Sequence, residues 1–209
     1  MTAMIMRAFS LRIGASLSKK ILAVAILSIV FIITPQCVAD ESTSQPEQTV
    51  RVVDSVSLER YVGLWYEIAK IPNRFQKKCA GGATAFYDLR EDGKVDIINR
   101  CYDKNEHLVE AKGIAKIVDT RSNAKLKVSF VRFLGTNLFW GDYWIIGLGA
   151  DYEYAIVGTP NRKYGWILGR SKVLADTTIS EIFSLLRQQG YNPDAFQMTA
   201  QSEESKLDD

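Results

Sequence analysis

The sequence predicts an all-β fold: an eight-stranded up-and-down antiparallel β-barrel with one C-terminal α-helix packed on the outside. Three observations point to it. Short runs that alternate apolar and polar residues recur at fairly even spacing between residues 65 and 171, with turn signals between them. Asp92-Gly93 and Gly149-Ala150-Asp151 join neighbouring runs with almost no loop. Apolar residues at helical spacing appear convincingly only once, after residue 176.

The chain before that pattern is of another kind. Arg7, Arg12, Lys19 and Lys20 precede an apolar run over 21–33, and Cys37-Val38-Ala39 places small residues where a signal peptidase cuts, so 1–39 reads as a signal peptide. A retained membrane anchor competes, but the run is short for a span. Lipidation at Cys37 competes too, against Gln36 where a small residue is wanted. The leader holds four of the 26 Lys and Arg and none of the 24 Asp and Glu, so the mature chain has 22 basic against 24 acidic residues and a net charge of about −2. With no basic block interleaved with aromatics, nucleic acid is not an expected partner. Residues 40–53 are polar and read as a flexible linker, 54–200 as the barrel domain, and 201–209 as an acidic tail.

Within the barrel the expected strands are 65–71, 83–89, 95–102, 108–118, 125–132, 143–149, 152–159 and 164–171. Connections in an up-and-down barrel alternate between its ends. The short ones gather at one end and the two long ones, 71–82 and 133–142, at the other, which becomes the mouth. Trp65 begins the first strand at the tight end, and the last strand finishes there, which brings Arg170 beside the indole. Asp176 is the expected N-cap of a helix to about Gln189, with Gly190 as its stop. Ile179, Ile182, Phe183 and Leu186 share one helix face, suited to the barrel's outer wall or, alternatively, to a partner. Residues 196–199 are read as a ninth strand.

Gly63-x-Trp65 at the start of the first strand, Gly141-Asp142-Tyr143 at the start of the sixth and Arg170 near the end of the eighth resemble the three lipocalin signatures, in order. Trp65-Tyr66-Glu67-Ile68-Ala69 and Trp166-Ile167-Leu168-Gly169-Arg170 are similar to bacterial lipocalins of the apolipoprotein D-like group. Gly63, Trp65, Asp142, Tyr143 and Arg170 are thus the expected structural signature. The resemblance implies a secreted, periplasmic carrier of one fatty acid or lysophospholipid, associated with the outer membrane and serving lipid storage or transport in envelope maintenance. No cofactor is expected, and with a single histidine, His107, no metal site is expected either.

One alternation register of each strand should line the lumen. That register contains Ala85 and Tyr87, then Val95, Ile97 and Asn99, then Leu126, Val128 and Phe130; Trp166 completes the candidate ligand contacts. Ala83, Ala85 and Gly113 leave room in the wall. Asn99 reads equally as a polar group inside the cavity or as a satisfied wall residue.

Catalysis is hard to assemble. His107, the only histidine, lies in a polar turn with no Ser or Cys at triad-like placement, and no catalytic residue is expected. Cys79 and Cys101 flank the open end of one hairpin and are the only cysteines left after the leader, so a disulfide is expected between them. Were they free, a lipid-acting enzyme using one of them would be the alternative; a filled barrel with a surface-interaction role is the third reading. Leu138, Phe139 and Trp140 make the 133–141 connection unusually apolar, fit to lid the mouth or to meet a membrane surface or a second copy.

Overall fold

The computed structural model describes residues 49–201. The leader, including Cys37, most of the linker and residues 202–209 of the tail lie outside the described residues. The order is α1 (Leu58–Tyr61), β1 (Gly63–Lys70), β2 (Gly81–Leu89), β3 (Val95–Tyr102), β4 (Leu108–Ile117), β5 (Lys125–Ser129), β6 (Val131–Phe133), β7 (Thr136–Leu138), β8 (Gly141–Leu148), β9 (Tyr154–Gly158), β10 (Gly165–Gly169), α2 (Asp176–Gln188) and β11 (Gln197–Met198). Eight of the strands run β10-β9-β8-β5-β4-β3-β2-β1, and β1 pairs back onto β10, which closes the barrel. Every ladder is antiparallel.

Period-2 alternation sends each strand's residues to two apolar environments. Trp65, Tyr87, Ile97, Leu126, Ile145 and Val157 form the inner cluster. Ile68, Ile146, Ile156 and Ile167 point outward and pack against Ile182 and Leu186 of α2. The helix therefore covers the wall made by β8, β9, β10 and β1, as its apolar face required. Its cap differs from expectation: Asp176 is the first helical residue, and Ala175 precedes it without a side-chain cap. Asp176 still complements the helix N-terminus through its charge. Gly190, at φ +75°, ends the helix as anticipated. No helix among the described residues is long and apolar enough to cross a membrane.

Three further expectations change. The linker ends sooner than 53, because Val50 is buried at 4% exposure and Val53 N–H donates to Ile145 O at 3.0 Å. The Asp92-Gly93 connection spans residues 90–94, since Asp92 Oδ1 accepts from Lys94 N–H and widens the turn. The strand expected over 125–132 breaks at Phe130, and the supposed mouth loop is instead a hairpin of β6 and β7 in its own two-stranded sheet. Ser129 causes the break: fully buried, its hydroxyl lies against the carbonyls of Leu138 and Val131, which turns the chain out of the barrel ladder.

Candidate functional site

The closed end is built around Trp65, which is fully buried and donates from Nε1 to Tyr61 O at 2.7 Å. Arg170 lies 3.8 Å from the indole centroid. Its Nη1 donates to Leu64 O at 2.7 Å, and its Nη2 to Arg60 O at 2.7 Å and to the carbonyls of Val62 and Tyr61 at 3.0 and 3.1 Å. One guanidinium thus ties the end of β10 to the end of α1 and the start of β1. The carbonyls of Arg60, Tyr61 and Val62 sit at the C-terminal end of α1, where a cation is favoured. Gly63 joins the two elements at φ +91°, a conformation that disfavours any other residue.

Just inside this floor, Tyr143 Oη lies 2.8 Å from Tyr61 Oη and 3.0 Å from Tyr87 Oη. Burial is the main cause that raises all three phenols, Tyr87 to about 12 and the other two well above their usual range, so they stay neutral. Beside them is an apolar cavity of about 20 Å³, room for roughly one water. Tyr87, Val95, Ile97, Leu126 and Val128 line it as expected, joined by Leu58, Tyr61, Val62, Ala115, Tyr143 and Ile145. Tyr61 escaped sequence reasoning because it belongs to a four-residue helix; Ser57, which caps α1, was the available signal. Tyr143 was expected as a signature residue, and its hydroxyl is also the centre of this chain of phenols.

The other expected contacts scatter. Ala85 is buried opposite Trp65 in the β1–β2 ladder and packs around the indole. Phe130 is half-exposed at the mouth, and its ring fills the space where a Gly113 side chain would stand, with Cδ1 2.6 Å from that position. The room attributed to Gly113 is therefore occupied. Asn99 faces inward between Ala85 and Ala111, and its buried Oδ1 has no hydrogen-bond partner among the described residues. Trp166 is half-buried against the inner cluster.

Above them lies a polar group that sequence reasoning overlooked. Glu67, two residues after inward-facing Trp65, is buried at 5% exposure and accepts from Lys70 Nζ at 2.5 Å, Gln76 Nε2 at 2.5 Å and Thr199 Oγ1 at 2.7 Å. Gln76 Oε1 in turn accepts from Trp166 Nε1 at 2.9 Å. The signal was in the alternation itself: a residue at i+2 from a buried Trp points the same way.

At the rim, the expected apolar contacts divide. Phe139 is 82% exposed, whereas Leu138 is half-buried and Trp140 lies half-buried under Lys116 Nζ, 4.4 Å from its centroid. The hairpin instead exposes Phe133 and Leu134, the latter at 88%. Across the mouth, Phe75 is also exposed, and Arg74 and Lys163 border a polar groove with Pro72, Asn73 and Tyr164. Asp142 accepts from Lys127 Nζ at 2.9 Å on the outer wall. Cys79 and Cys101 are joined by the expected disulfide, Cα–Cα 5.5 Å, so neither is a free thiolate nucleophile. Among the described residues, no group of three or more His, Cys, Asp or Glu side chains is placed to hold a metal ion.

Residues 56–201 match the Lipocalin-like domain family. The chain is 35% identical over 161 residues to temperature-induced lipocalin-1 of Arabidopsis thaliana, covering 75% of this chain and 86% of that protein. It is 33% identical over 156 residues to outer membrane lipoprotein Blc of Escherichia coli, covering 74% and 85%. Apolipoprotein D of Mus musculus is 31% identical over 159 residues, covering 72% and 80%. Among solved structures, insecticyanin from the tobacco hornworm Manduca sexta superposes with a TM-score of 0.60 at 22% identity, over 74% of this chain and 85% of that one. With most of the barrel matched in sequence and its closure matched in three dimensions, this chain belongs to the lipocalin family.

Proposed function

We propose that this protein carries a fatty acid or lysophospholipid in its lumen, in the periplasm beside the outer membrane, for lipid storage or transport in envelope maintenance. The family binds small hydrophobic ligands, and a relative is named an outer membrane lipoprotein. The observation that carries the reading is the graded lumen. It has an apolar floor of Val95, Ile97, Leu126 and Val128, a polar layer at Glu67, Lys70, Gln76 and Trp166, and an apolar rim at Phe75, Phe133, Leu134 and Phe139. An amphiphile meets its own polarity in reverse order as it descends tail first. Leu134 and Phe139 are bulky, exposed and held at φ +44° and +56°, and such backbone strain gathers at working sites.

The rim supports delivery by contact with a membrane leaflet. Arg74, Lys77, Lys78 and Lys163 lie in mouth loops on the side of exposed Phe75, across the mouth from the hairpin's apolar tips, and basic residues on a rim suit anionic head groups. Replacing Phe133, Leu134 and Phe139 with serine is expected to slow lipid transfer from anionic vesicles while sparing affinity for soluble amphiphiles. A change in dimerisation by sedimentation, with transfer intact, would assign the rim to a second copy instead. Unchanged transfer and unchanged dimerisation would leave it as a lid.

Calorimetric titration with acyl chains of increasing length tests the carrier reading. Each methylene buried should contribute about 0.8 kcal/mol until the lumen is full. The small floor cavity favours one rival, a filled barrel, which predicts no binding at any length.

A further inference from the structure

The basic side of the rim is not uniform. Arg74 and Lys163 belong to a groove of about 400 Å³ that Pro72, Asn73 and Tyr164 complete, whereas Lys77 and Lys78 lie outside it. The β1–β2 connection supplies Pro72, Asn73 and Arg74, and the β9–β10 turn supplies Lys163 and Tyr164. An asparagine pins each loop. Asn73 Oδ1 accepts from the N–H groups of Phe75 and Gln76, both at 3.1 Å, and its Nδ2 donates to Gln76 Oε1 at 2.9 Å. Asn161 Oδ1 accepts from Lys163 N–H at 3.1 Å and from Thr159 Oγ1 at 2.9 Å. The rings of Phe75 and Tyr164, 5.5 Å apart, join one loop to the other. The groove is thus set before anything enters it.

Its charge is unanswered. No acidic side chain lines the groove, and among the described residues neither Arg74 nor Lys163 joins an ion pair. Each cation rests instead against a ring: the Arg74 guanidinium is 5.2 Å from the Phe75 centroid, and Lys163 Nζ is 5.8 Å from that of Tyr164. A ring face steadies a cation and leaves N–H groups free to donate. The Tyr164 hydroxyl, which bonds to no other described residue, adds a neutral donor. A carboxylate or a phosphate diester would neutralise one of the two cations. A phosphate monoester, with a charge of about −1.5 to −2 at neutral pH, answers both.

We propose that the Arg74–Lys163 groove is a phosphate-monoester site on the lip of the mouth. The Arg74 fork takes two phosphate oxygens, Lys163 meets the group as a point charge, and the Tyr164 hydroxyl donates to it. The site deepens the rim reading, on which it rests only for a bilayer as the source of the phosphate; a soluble phosphate ester offers the same chemistry.

Two probes separate those sources. Glycerol phosphate titrated into isotope-labelled protein should shift the backbone amides of Asn73, Arg74, Lys163 and Tyr164 saturably. Phosphatidylcholine vesicles doped with phosphatidic acid should bind more tightly than vesicles doped with phosphatidylglycerol to the same surface charge, on the order of 5-fold. Arg74→Gln and Lys163→Gln should each weaken both responses, again on the order of 5-fold. The double variant Lys77→Gln/Lys78→Gln removes more charge from the same side of the rim, yet should keep the amide shifts and the vesicle preference. Binding of glycerol phosphate without a vesicle preference supports the site and assigns its phosphate to solution. A vesicle preference that the groove variants abolish, without soluble binding, supports the site and assigns its phosphate to the bilayer. Absence of both responses overturns the site, and so does an equal loss in Lys77→Gln/Lys78→Gln, which marks a diffuse field. Lipid transfer by the hairpin serine variant judges the rim reading separately, so either can fail while the other stands.

Discussion

Trp65→Ala removes a side chain with no exposed surface from the closed end of the barrel. Loss of a buried Trp of this kind costs about 3–5 kcal/mol. The lost indole hydrogen bond adds little, because Tyr61 O keeps its second donor, Arg170 Nη2 at 3.1 Å. Arg170→Ala has two parts. The carbonyls of Arg60, Val62 and Leu64 lose a charged donor, but they lie where water can replace it, so that part is about 2 kcal/mol. The guanidinium stacked 3.8 Å from the ring centroid contributes about 0.5–2 kcal/mol more. Only the stacking, with the shared Tyr61 carbonyl, can couple the two residues. Urea unfolding of wild type, both single variants and the double variant should therefore give an interaction energy of about 1–1.5 kcal/mol, with Arg170→Ala still costly in the Trp65→Ala background. Arg170→Lys should behave much like Arg170→Ala, because an ammonium cannot spread its donors over four carbonyls. Additivity within about 0.5 kcal/mol would refute the stacking as an energetic contact.

Reducing Cys79–Cys101, or replacing both cysteines with alanine, frees a 22-residue separation and should lower stability by about 3 kcal/mol in chemical denaturation; free-thiol titration of the unreduced protein should find neither thiol. Glu67→Ala strands the Lys70 amine, which is 17% exposed, together with its Gln76 and Thr199 donors, and should cost about 3 kcal/mol, whereas Glu67→Gln, which keeps an acceptor, should cost less. Alkaline unfolding should report the buried phenols. The unfolded chain loses its Tyr87 proton near the ordinary value of 10.0 while the folded chain holds it to about 12, so that stability is intact below pH 10 and is lost as pH rises to 12. The Tyr87 share of that loss is about 3 kcal/mol, and a pH titration of the melting temperature in Tyr87→Phe should show a correspondingly shallower decline.

The strands that alternate cleanly were legible in the sequence: β3 spans the expected residues, and Tyr87, Val95, Ile97, Leu126 and Val128 reach the floor as their parity required. The join of Trp65 to Arg170 was legible as well, because it follows from strand order alone. The break at Phe130 was not. Leu126, Val128 and Phe130 hold one apolar parity up to the break and Val131 and Phe133 take the other, but the cause, a buried Ser129 hydroxyl against the carbonyls of Val131 and Leu138, is visible only in three dimensions. Likewise Asn99 could be assigned a face but not a partner, since partners depend on what the neighbouring strands bring across from it. Glu67 was overlooked: its parity with Trp65 points it inward, but the Lys70, Gln76 and Thr199 groups that make a buried carboxylate tenable there come together only in the fold.

The disulfide has a mechanical consequence. In the cyclic order of the eight barrel strands, the β1–β2 connection and the β5–β8 connection, which carries the β6–β7 hairpin, stand on opposite sides of the mouth. The first is anchored twice, covalently through Cys79 to β3 and by Gln76 to Glu67 and Trp166. The second leaves the barrel ladder at Ser129 and rejoins it only at Gly141, and in between it pairs with itself. Resistance to bending is therefore unequal around the ring. The side anchored by the disulfide has the smaller freedom to yield, so a widening that admits a bulky molecule is expected to fall on the hairpin, between Ser129 and Gly141.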